Sequence, residues 1–211
     1  MSATSEPSRR RTSSRRTRTR QALVHAAETL FRLQGYEATT IDQIALGAGV
    51  SRRTFFRHFP TKDAVVFPDA AERLARFEDN LAAAVEGEPG LSALRRAARA
   101  VGEELVADRK GQLLQQQLIA ESPALVARER ELDRRWEAAL ARRLGADDPD
   151  DEAVARWARL AAGAVMGAFR AAIREWVTSA GRTDLVRLGE QAMALVEAGL
   201  AAAHHPPGGT P

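Results

Sequence analysis

Alanine and leucine dominate this sequence, and they favour a helical fold. The chain contains 42 Ala and 21 Leu, against 17 Val and Ile taken together. Alanine and leucine are strong helix formers, whereas β-branched residues favour strands. No alternation of apolar and polar residues is long enough to predict a strand, and no repeat recurs at a fixed spacing. We therefore predict an all-α protein with about nine helices.

Shifts in composition divide the chain into four parts. Residues 1–16 are rich in Ser, Thr, Arg and Pro, and we expect them to form a disordered basic arm. Residues 17–62 hold three short helices, and residues 63–203 form a larger helical body. Residues 204–211 are rich in Pro and Gly and are predicted to be a disordered tail.

The helix boundaries follow from caps and breakers. The first helix begins near Thr17 and ends at Gly35, where a glycine suits the C-terminal end. A longer helix is predicted to begin at Thr61, with Pro68 inside it as a kink. Later helices are predicted at residues 91–107, 111–120, 123–144, 151–177 and 183–202.

Charge is distributed unevenly along the chain. The net charge is +3, but the lysines, arginines and acids of residues 1–62 sum to +8 and those of residues 63–211 to −5. A basic segment of this kind indicates a polyanionic partner, either nucleic acid or an anionic membrane surface. The alternative is a solvated, arginine-rich tail that binds nothing.

Several classes of protein are excluded or disfavoured. The absence of cysteine excludes disulfides and cysteine-ligated zinc. No apolar run reaches the roughly 18 residues of a membrane span, and the basic N-terminus lacks the apolar part of a signal peptide. We therefore expect a cytoplasmic protein with no membrane partner.

Residues 39–62, TTIDQIALGAGVSRRTFFRHFPTK, form a helix, a tight glycine turn at Gly49 and a second helix. In a helix-turn-helix the second helix enters the DNA major groove. Its outward arginines suit guanine edges and phosphates, and Thr40 and Lys62 sit at helix N-termini, which favour phosphate. An ordinary helical hairpin with a solvated face is the alternative. The predicted inward anchors are Ile41, Ile44, Ala45, Val50, Phe55 and Phe59.

Three consecutive segments resemble the TetR family of bacterial transcriptional regulators. Residues 22–35, ALVHAAETLFRLQG, resemble the first helix of that family, and residues 36–50 resemble its Tyr-x-x-Thr-Thr entry and Ile-Ala-x-x-Ala-Gly-Val turn. Residues 51–63, SRRTFFRHFPTKD, resemble its recognition segment. Phe56 departs from the pattern, because the family has a tyrosine there whose hydroxyl touches a phosphate, so Phe56 can offer only apolar contact.

The resemblance implies which residues contact double-stranded operator DNA. The recognition-helix face comprises Ser51, Arg52, Arg53, Thr54, Phe56 and Arg57. Thr40, His58 and Lys62 are implied to contact phosphates, although His58 can instead be a packed residue at the helix end. Arg15, Arg16, Arg18 and Arg20 reach either a minor groove or the backbone, or add only salt-sensitive affinity.

The helix predicted at 151–177 carries little charge between Arg159 and Arg170, so it must be buried on more than one side. One side can face a partner subunit and the other a ligand cavity, although a packed core is equally compatible. Arg170 on this apolar helix needs a partner, either Glu121, Glu175 or an anionic ligand, unless it reaches solvent at an interface. The candidate ligand-binding residues are Leu118, Trp136, Trp157, Met166, Phe169 and Arg170.

The resemblance also implies a homodimer, in which the last two long helices of each subunit form a four-helix bundle. We find no catalytic constellation, metal-ligand spacing or phosphate loop, so we expect neither an enzyme nor a bound cofactor or metal. The acidic run from Asp147 to Glu152 is interpreted as a helix N-terminus. The predicted function is a dimeric repressor released from its operator by a small, largely apolar ligand. The alternative is a ligand-independent DNA-binding or architectural protein, or an activator.

Overall fold

The computed structural model describes residues 6–83, 90–145 and 150–203. The predicted tail at 204–211, together with Asp147 and Asp148 of the acidic run, lies outside the described residues. Within the described ranges the fold is all-α, with nine α-helices and no strand. The helices are α1 Glu6–Ala38, α2 Ile41–Gly47, α3 Arg52–His58, α4 Ala70–Ala82, α5 Gly90–Ala107, α6 Arg109–Glu121, α7 Pro123–Leu144, α8 Glu152–Thr178 and α9 Leu185–Ala203.

The first helix begins earlier than the sequence predicted. Residues 6–16 were assigned to a disordered arm, but they continue α1 to Glu6. Extending an existing helix avoids the cost of nucleation, and arginine is a good helix former. The helix predicted from about Thr17 onward can therefore extend backward through the basic segment. At the other end Gly35 adopts φ 79° and ψ 167°, which confirms it as the point where the regular helix stops.

The stretch between α3 and α4 also differs from the prediction. A continuous helix from Thr61 with Pro68 as a kink was expected. Instead, Asp63–Val65 form a short 3₁₀ turn and α4 begins at Ala70, after the proline. Proline lacks a backbone N–H and disfavours helical geometry in the residue before it, which separates the two elements.

The chain forms two compact units. Unit 1 comprises Met1–Pro68 together with Leu114–Val126, and unit 2 comprises Asp69–Leu113 together with Ala127–Pro211. The sequence placed residues 114–126 in the larger body, whereas the structure groups them with the N-terminal helices. The physical reason is a shared apolar core, in which these buried side chains cluster: Leu23, Phe31, Ile44, Phe55, Phe59, Leu118, Ile119 and Leu125.

Two hydrogen bonds fix this late segment within unit 1. Ser122, which is buried, donates from Oγ to Glu37 Oε1 at 2.7 Å. Gln115 donates from Nε2 to the carbonyl of Val66 at 2.5 Å. Buried polar groups need such partners. Both these hydrogen bonds and the apolar side chains therefore determine how the segment packs.

Unit 2 is a helical bundle in which α5 and α9 pack on each other, α4 packs on α5, and α8 on α9. The carboxylate of Asp151 caps α8 by accepting the N–H groups of Ala153 and Val154, which agrees with the helix-start interpretation of the acidic run. One face of α8 is buried through Ala161, Ala162, Val165, Met166, Ala172 and Trp176.

Candidate nucleic-acid interface

Side-chain caps define the beginnings of both helices in the helix-turn-helix. Thr40 accepts the N–H of Gln43, and the Gln43 side chain accepts the N–H of Thr40, which completes a capping box. Ser51 caps α3 by accepting the N–H of Thr54. Between the helices Gly49 adopts φ 66°, a left-handed conformation that glycine takes without steric cost. The local sequence therefore determines the turn and both helix starts.

The inward face of α3 anchors the helix in the core of unit 1. Phe55 and Phe59 are 0% and 2% exposed, and their ring centroids lie 5.9 Å apart. Ile44 and Ala45 of α2 are buried in the same cluster, while Ile41 and Val50 are half-buried against it. The six predicted anchors are thus confirmed as apolar contacts, and they fix which side of α3 faces outward.

The outward side of α3 carries the residues that the resemblance implied. Ser51, Arg52, Arg53 and Arg57 are exposed, Thr54 is partly exposed, and Phe56 is 43% exposed. For Arg53 and Arg57 the described part of the chain offers no acidic partner within ion-pair distance. A helix with two unneutralised guanidinium groups on its open face can bind phosphates and guanine edges.

Arg52 is held more firmly than its neighbours. Its Nη1 donates to Asp42 Oδ2 of α2 at 2.7 Å, and its guanidinium carbon lies 5.4 Å from the centroid of the Phe56 ring. The sequence assigned Asp42 only to the favourable end of the α2 dipole, so this contact between α2 and α3 was missed.

Lys62, predicted as a phosphate contact, lies against the end of α1. Its Nζ donates to the carbonyls of Tyr36 at 2.8 Å and Thr39 at 3.1 Å, and lies 4.1 Å from the Tyr36 ring centroid. Burial, chiefly, raises the pKa of the Tyr36 hydroxyl to about 12, so this tyrosine is neutral. The ammonium thus donates to backbone carbonyls at and just beyond the end of α1, where the break at Gly35 interrupts the regular helix.

Arg20 is also engaged within unit 1. It donates to the carbonyls of His58 and Pro68, and its guanidinium carbon stacks 4.5 Å from the centroid of Phe59. By contrast, Arg15, Arg16 and Arg18 are exposed on the same helix. Of the arginines predicted to reach DNA from this segment, Arg20 is the one that stabilises the end of α3.

His58 is half-buried at the last turn of α3. Burial lowers the pKa of its imidazole, and the positive charges of Arg57, Arg16 and Arg20 lower it further. The ring is therefore neutral near pH 7 and lies among cations from two helices. Both interpretations of the sequence, a phosphate contact and a packed histidine at the helix end, are compatible with this position.

Three of the predicted ligand-binding residues are brought together in unit 2. Trp136 of α7 and Met166 and Phe169 of α8 belong to one apolar cluster. The Trp136 ring centroid lies 4.7 Å from that of Phe77, a neighbour from α4. These aromatic and thioether side chains are of the kind that line apolar ligand sites.

Arg170 adjoins this cluster and has acidic partners other than those predicted. Its Nη1 lies 3.1 Å from Asp133 and 3.3 Å from Glu137, rather than near Glu121 or Glu175. These acids lie four residues apart on α7, so one helical face presents both. Burial raises the pKa of Asp133, while Arg170 opposes that shift.

The two remaining candidates do not join the Met166 cluster. Leu118 is buried in the core of unit 1, because the end of α6 packs there. Trp157 is half-buried on α8, about two turns before Val165. The spacing of apolar residues on α6 could not show which unit its last turns would join.

Two known protein families match this chain. The family described as "Bacterial regulatory proteins, tetR family" matches residues 23–67, and the family described as "MftR C-terminal domain" matches residues 88–201. The second match alone covers more than half of the chain. The chain belongs to the TetR family of bacterial transcriptional regulators.

Curated TetR-family relatives support this assignment over parts of their length. The HTH-type transcriptional regulator TcmR of Streptomyces glaucescens is 36% identical over 148 residues, which cover 64% of this chain and 64% of TcmR. The HTH-type transcriptional regulator EthR of Mycolicibacterium smegmatis is 32% identical over 68 residues, 32% of this chain and 31% of EthR. The chain thus spans less than two thirds of either relative.

Solved structures of TetR regulators share the fold. Thermus thermophilus FadR, a repressor crystallised with lauroyl-CoA, has a TM-score of 0.59 at 24% identity, covering 90% of this chain and 100% of that one. A complex of SmeT with triclosan has a TM-score of 0.63 at 20% identity, covering 92% and 97%; SmeT represses a multidrug efflux pump of Stenotrophomonas maltophilia. Among the described helices of this TetR-family chain, none combines the length and the hydropathy of a membrane span.

Proposed function

We propose that this TetR-family protein is a dimeric repressor that binds a DNA operator through α3 and leaves it when a small, largely apolar ligand binds unit 2. The observation that carries the DNA-binding part is the open face of α3, where Arg53 and Arg57 point away from the buried Phe55 and Phe59. Such a face supplies base and phosphate contacts, as a recognition helix requires.

The basic N-terminal segment adds affinity that depends on salt. Arg15, Arg16 and Arg18 are exposed on α1, and each phosphate that they neutralise would release bound counterions. Deletion of residues 1–16 is expected to reduce the dependence of DNA affinity on salt concentration. An unchanged salt dependence in fluorescence anisotropy would remove this segment from the interface.

Apolar side chains on the outer faces of α8 and α9 support a homodimer. Leu160 of α8 and Leu195 of α9 are 71% and 77% exposed, although both are large and apolar. Around Leu160, exposed or partly exposed small residues recur at helical spacing: Gly163, Ala164, Gly167 and Ala171. Unpaired apolar faces of this kind suit close packing against a second copy. A two-fold dimer presents two recognition helices, and successive half-sites on DNA require them about 34 Å apart.

The surroundings of Arg170 favour an apolar effector. Asp133 and Glu137 already neutralise this guanidinium, so an anionic ligand would have to displace a carboxylate. The adjacent Trp136, Met166 and Phe169 offer apolar and polarisable surface instead. SmeT is solved with triclosan, a largely apolar molecule, and FadR with lauroyl-CoA, whose acyl chain is apolar although its CoA part is anionic.

Selection of bound DNA from a random pool tests the first step of this proposal. One enriched palindromic sequence, bound by two chains per duplex in analytical ultracentrifugation, is the expected result. Failure to enrich any sequence would refute the repressor model. The variant Leu160→Glu with Leu195→Glu is expected to be monomeric, with Leu33→Glu and Leu46→Glu, exposed leucines of unit 1, as the matched control.

An effector screen on the selected complex tests the second step. The three tryptophans of the chain, Trp136, Trp157 and Trp176, all belong to unit 2, so their fluorescence reports on that unit alone. An effector should change this fluorescence and release DNA, because a ligand shifts the equilibrium only when it binds the two states with different affinity. DNA release without any fluorescence change would place the effector outside unit 2.

A further inference from the structure

We propose that Asp42 is a positioning residue that fixes Arg52 for reading a single guanine of the operator. This inference rests on the proposed DNA-binding role of α3. It concerns a residue of α2 that the resemblance does not place at the interface, and it assigns different tasks to the arginines of α3.

The Asp42 contact restricts the orientation of Arg52. Arg52 is the first residue of α3, the end of a recognition helix that contacts base edges. Its Nη1 donates to Asp42 Oδ2 at 2.7 Å, and the structure shows no other acceptor for this side chain among the described residues. The edge formed by Nε and Nη2 therefore stays open, and two parallel N–H groups on one edge match guanine O6 and N7.

The Phe56 ring restrains the same guanidinium from a second side. The two residues lie four apart on α3, and the guanidinium carbon is 5.4 Å from the ring centroid. The rings of Phe56 and Phe55 pack edge to face, with 5.6 Å between their centroids, and Phe55 is fully buried. The position of Arg52 is thus connected to the core of unit 1 through Phe56 and to α2 through Asp42.

Stability does not account for this ion pair. The side chains of Arg52 and Asp42 are 58% and 64% exposed, and ion pairs so exposed add little to folding. A carboxylate close to DNA also repels phosphates, so it lowers general affinity. Asp42 has a role here if it restricts the orientation of the Arg52 guanidinium. A guanidinium in a fixed orientation discriminates between bases, whereas a freely moving one contacts any phosphate.

The test measures base preference as well as affinity. Selection of bound DNA from a random pool, with the wild type and with Arg52→Ala, identifies the base pair at which sequence preference depends on Arg52. Asp42→Ala is expected to relax preference at the same base pair by at most about fivefold, less than Arg52→Ala does, because the exposed ion pair that orients Arg52 is weak. In the Arg52→Ala background, Asp42→Ala should have no further effect on base preference. In the wild-type background, Phe56→Tyr keeps the aromatic ring and should therefore retain the base preference.

The matched control is Glu28→Ala. Glu28 pairs with Arg32 at 3.2 Å on α1, so its removal also deletes one acid and one exposed ion pair from unit 1. This variant should leave base preference unchanged. Circular dichroism melts of every variant report whether folding is preserved, and Asp42→Asn, which keeps an oxygen acceptor, provides a milder change if Asp42→Ala melts early.

The outcomes separate this inference from the proposed function. If Asp42→Ala binds operator and random DNA more tightly by the same factor, with base preference intact, Asp42 only repels phosphates and the inference is overturned. If relaxation occurs at a base pair that Arg52→Ala does not affect, the inference is likewise overturned. If wild type itself shows no base preference, the proposed function fails first.

Discussion

The arginines of unit 1 and unit 2 have different surroundings. In unit 2, arginines join helices by pairing with acids, as Arg76 does with Glu104 at 2.7 Å and Arg142 with Glu78 at 2.8 Å. On α3 of unit 1, Arg53 and Arg57 have no such partner in the described part of the chain. These arginines of unit 2 are thus neutralised by acids, whereas Arg53 and Arg57 of α3 are left open for an external anion.

The largest effect is expected for Arg53 and Arg57, which have no acidic partner among the described residues. Arg53→Ala with Arg57→Ala should weaken operator binding by about 2–6 kcal/mol, since each lost base or phosphate contact is worth about 1–3 kcal/mol. Fluorescence anisotropy with the selected operator measures this change. Loss of affinity that is equal on random DNA would identify both residues as phosphate contacts rather than base readers.

The control for this double variant removes the same charge from unit 2. Arg95 and Arg99 pair with Glu197 and Glu190. Arg95→Ala with Arg99→Ala should leave operator affinity unchanged, because these guanidinium groups already have anionic partners. A comparable loss of DNA affinity in this control would show that net charge, rather than the α3 face, determines binding.

The next largest effect is expected for Lys62, a cation of unit 1 whose ammonium donates to backbone carbonyls of the same unit. Lys62→Met should lower the free energy of unfolding by about 1–3 kcal/mol, because the carbonyls of Tyr36 and Thr39 lose a charged donor. Urea unfolding measures it, with Lys110→Met, the exposed second lysine of the chain, as the control. Unchanged stability with weaker DNA binding would restore the phosphate contact that the sequence predicted.

His58 gives a smaller effect that depends on pH. Burial and nearby arginines lower its pKa in the free protein, whereas a phosphate at the ring would favour the protonated form. DNA affinity of wild type should therefore rise as pH falls from about 7.5 to about 6, by less than about tenfold, the value of one pKa unit. His58→Gln should lose this extra pH dependence. Identical pH profiles would identify His58 as a packed residue.

The same lowered pKa predicts the sign of a stability change. Because the folded protein binds its His58 proton less tightly than the unfolded chain does, the unfolded chain takes up more protons just below the ordinary value of 6.5. Acidification through that range should therefore destabilise wild type more than His58→Gln in urea unfolding.

The smallest effect is expected for a paired arginine of unit 2. The Arg76 side chain is 49% exposed, so solvent screens its pair with Glu104. Arg76→Ala should lower the free energy of unfolding by at most about 1 kcal/mol and leave DNA affinity unchanged. A much larger loss would show that the ion pairs of unit 2 act as a network.

Local sequence was sufficient for the elements whose contacts are local. Thr40, Ser51 and Asp151 cap the helices that they precede, and Gly35 and Gly49 adopt the left-handed backbone that the turns require. These features depend on residues within a few positions of one another. The periodicity of α3 likewise indicated which of its side chains are buried, because one helical face must meet the core.

Contacts between distant segments were not predictable in the same way. Lys62 and Arg20 carry the charge expected of DNA contacts, yet each donates to carbonyls more than 20 residues away. Carbonyls are present at every residue and leave no mark in the sequence. For Arg170, several acids were at suitable spacing, and only the packing of α7 on α8 selected Asp133 and Glu137.

By itself the sequence determined an all-α chain, a basic N-terminal part and a helix-turn-helix with its caps and outward arginines, because composition, helical periodicity and turn chemistry are local properties. Tertiary structure decided which cations remain open, that residues 114–126 pack in unit 1, and that Asp42 holds Arg52. Each of these depends on which helix faces lie opposite one another, and that is fixed by burial across the whole core.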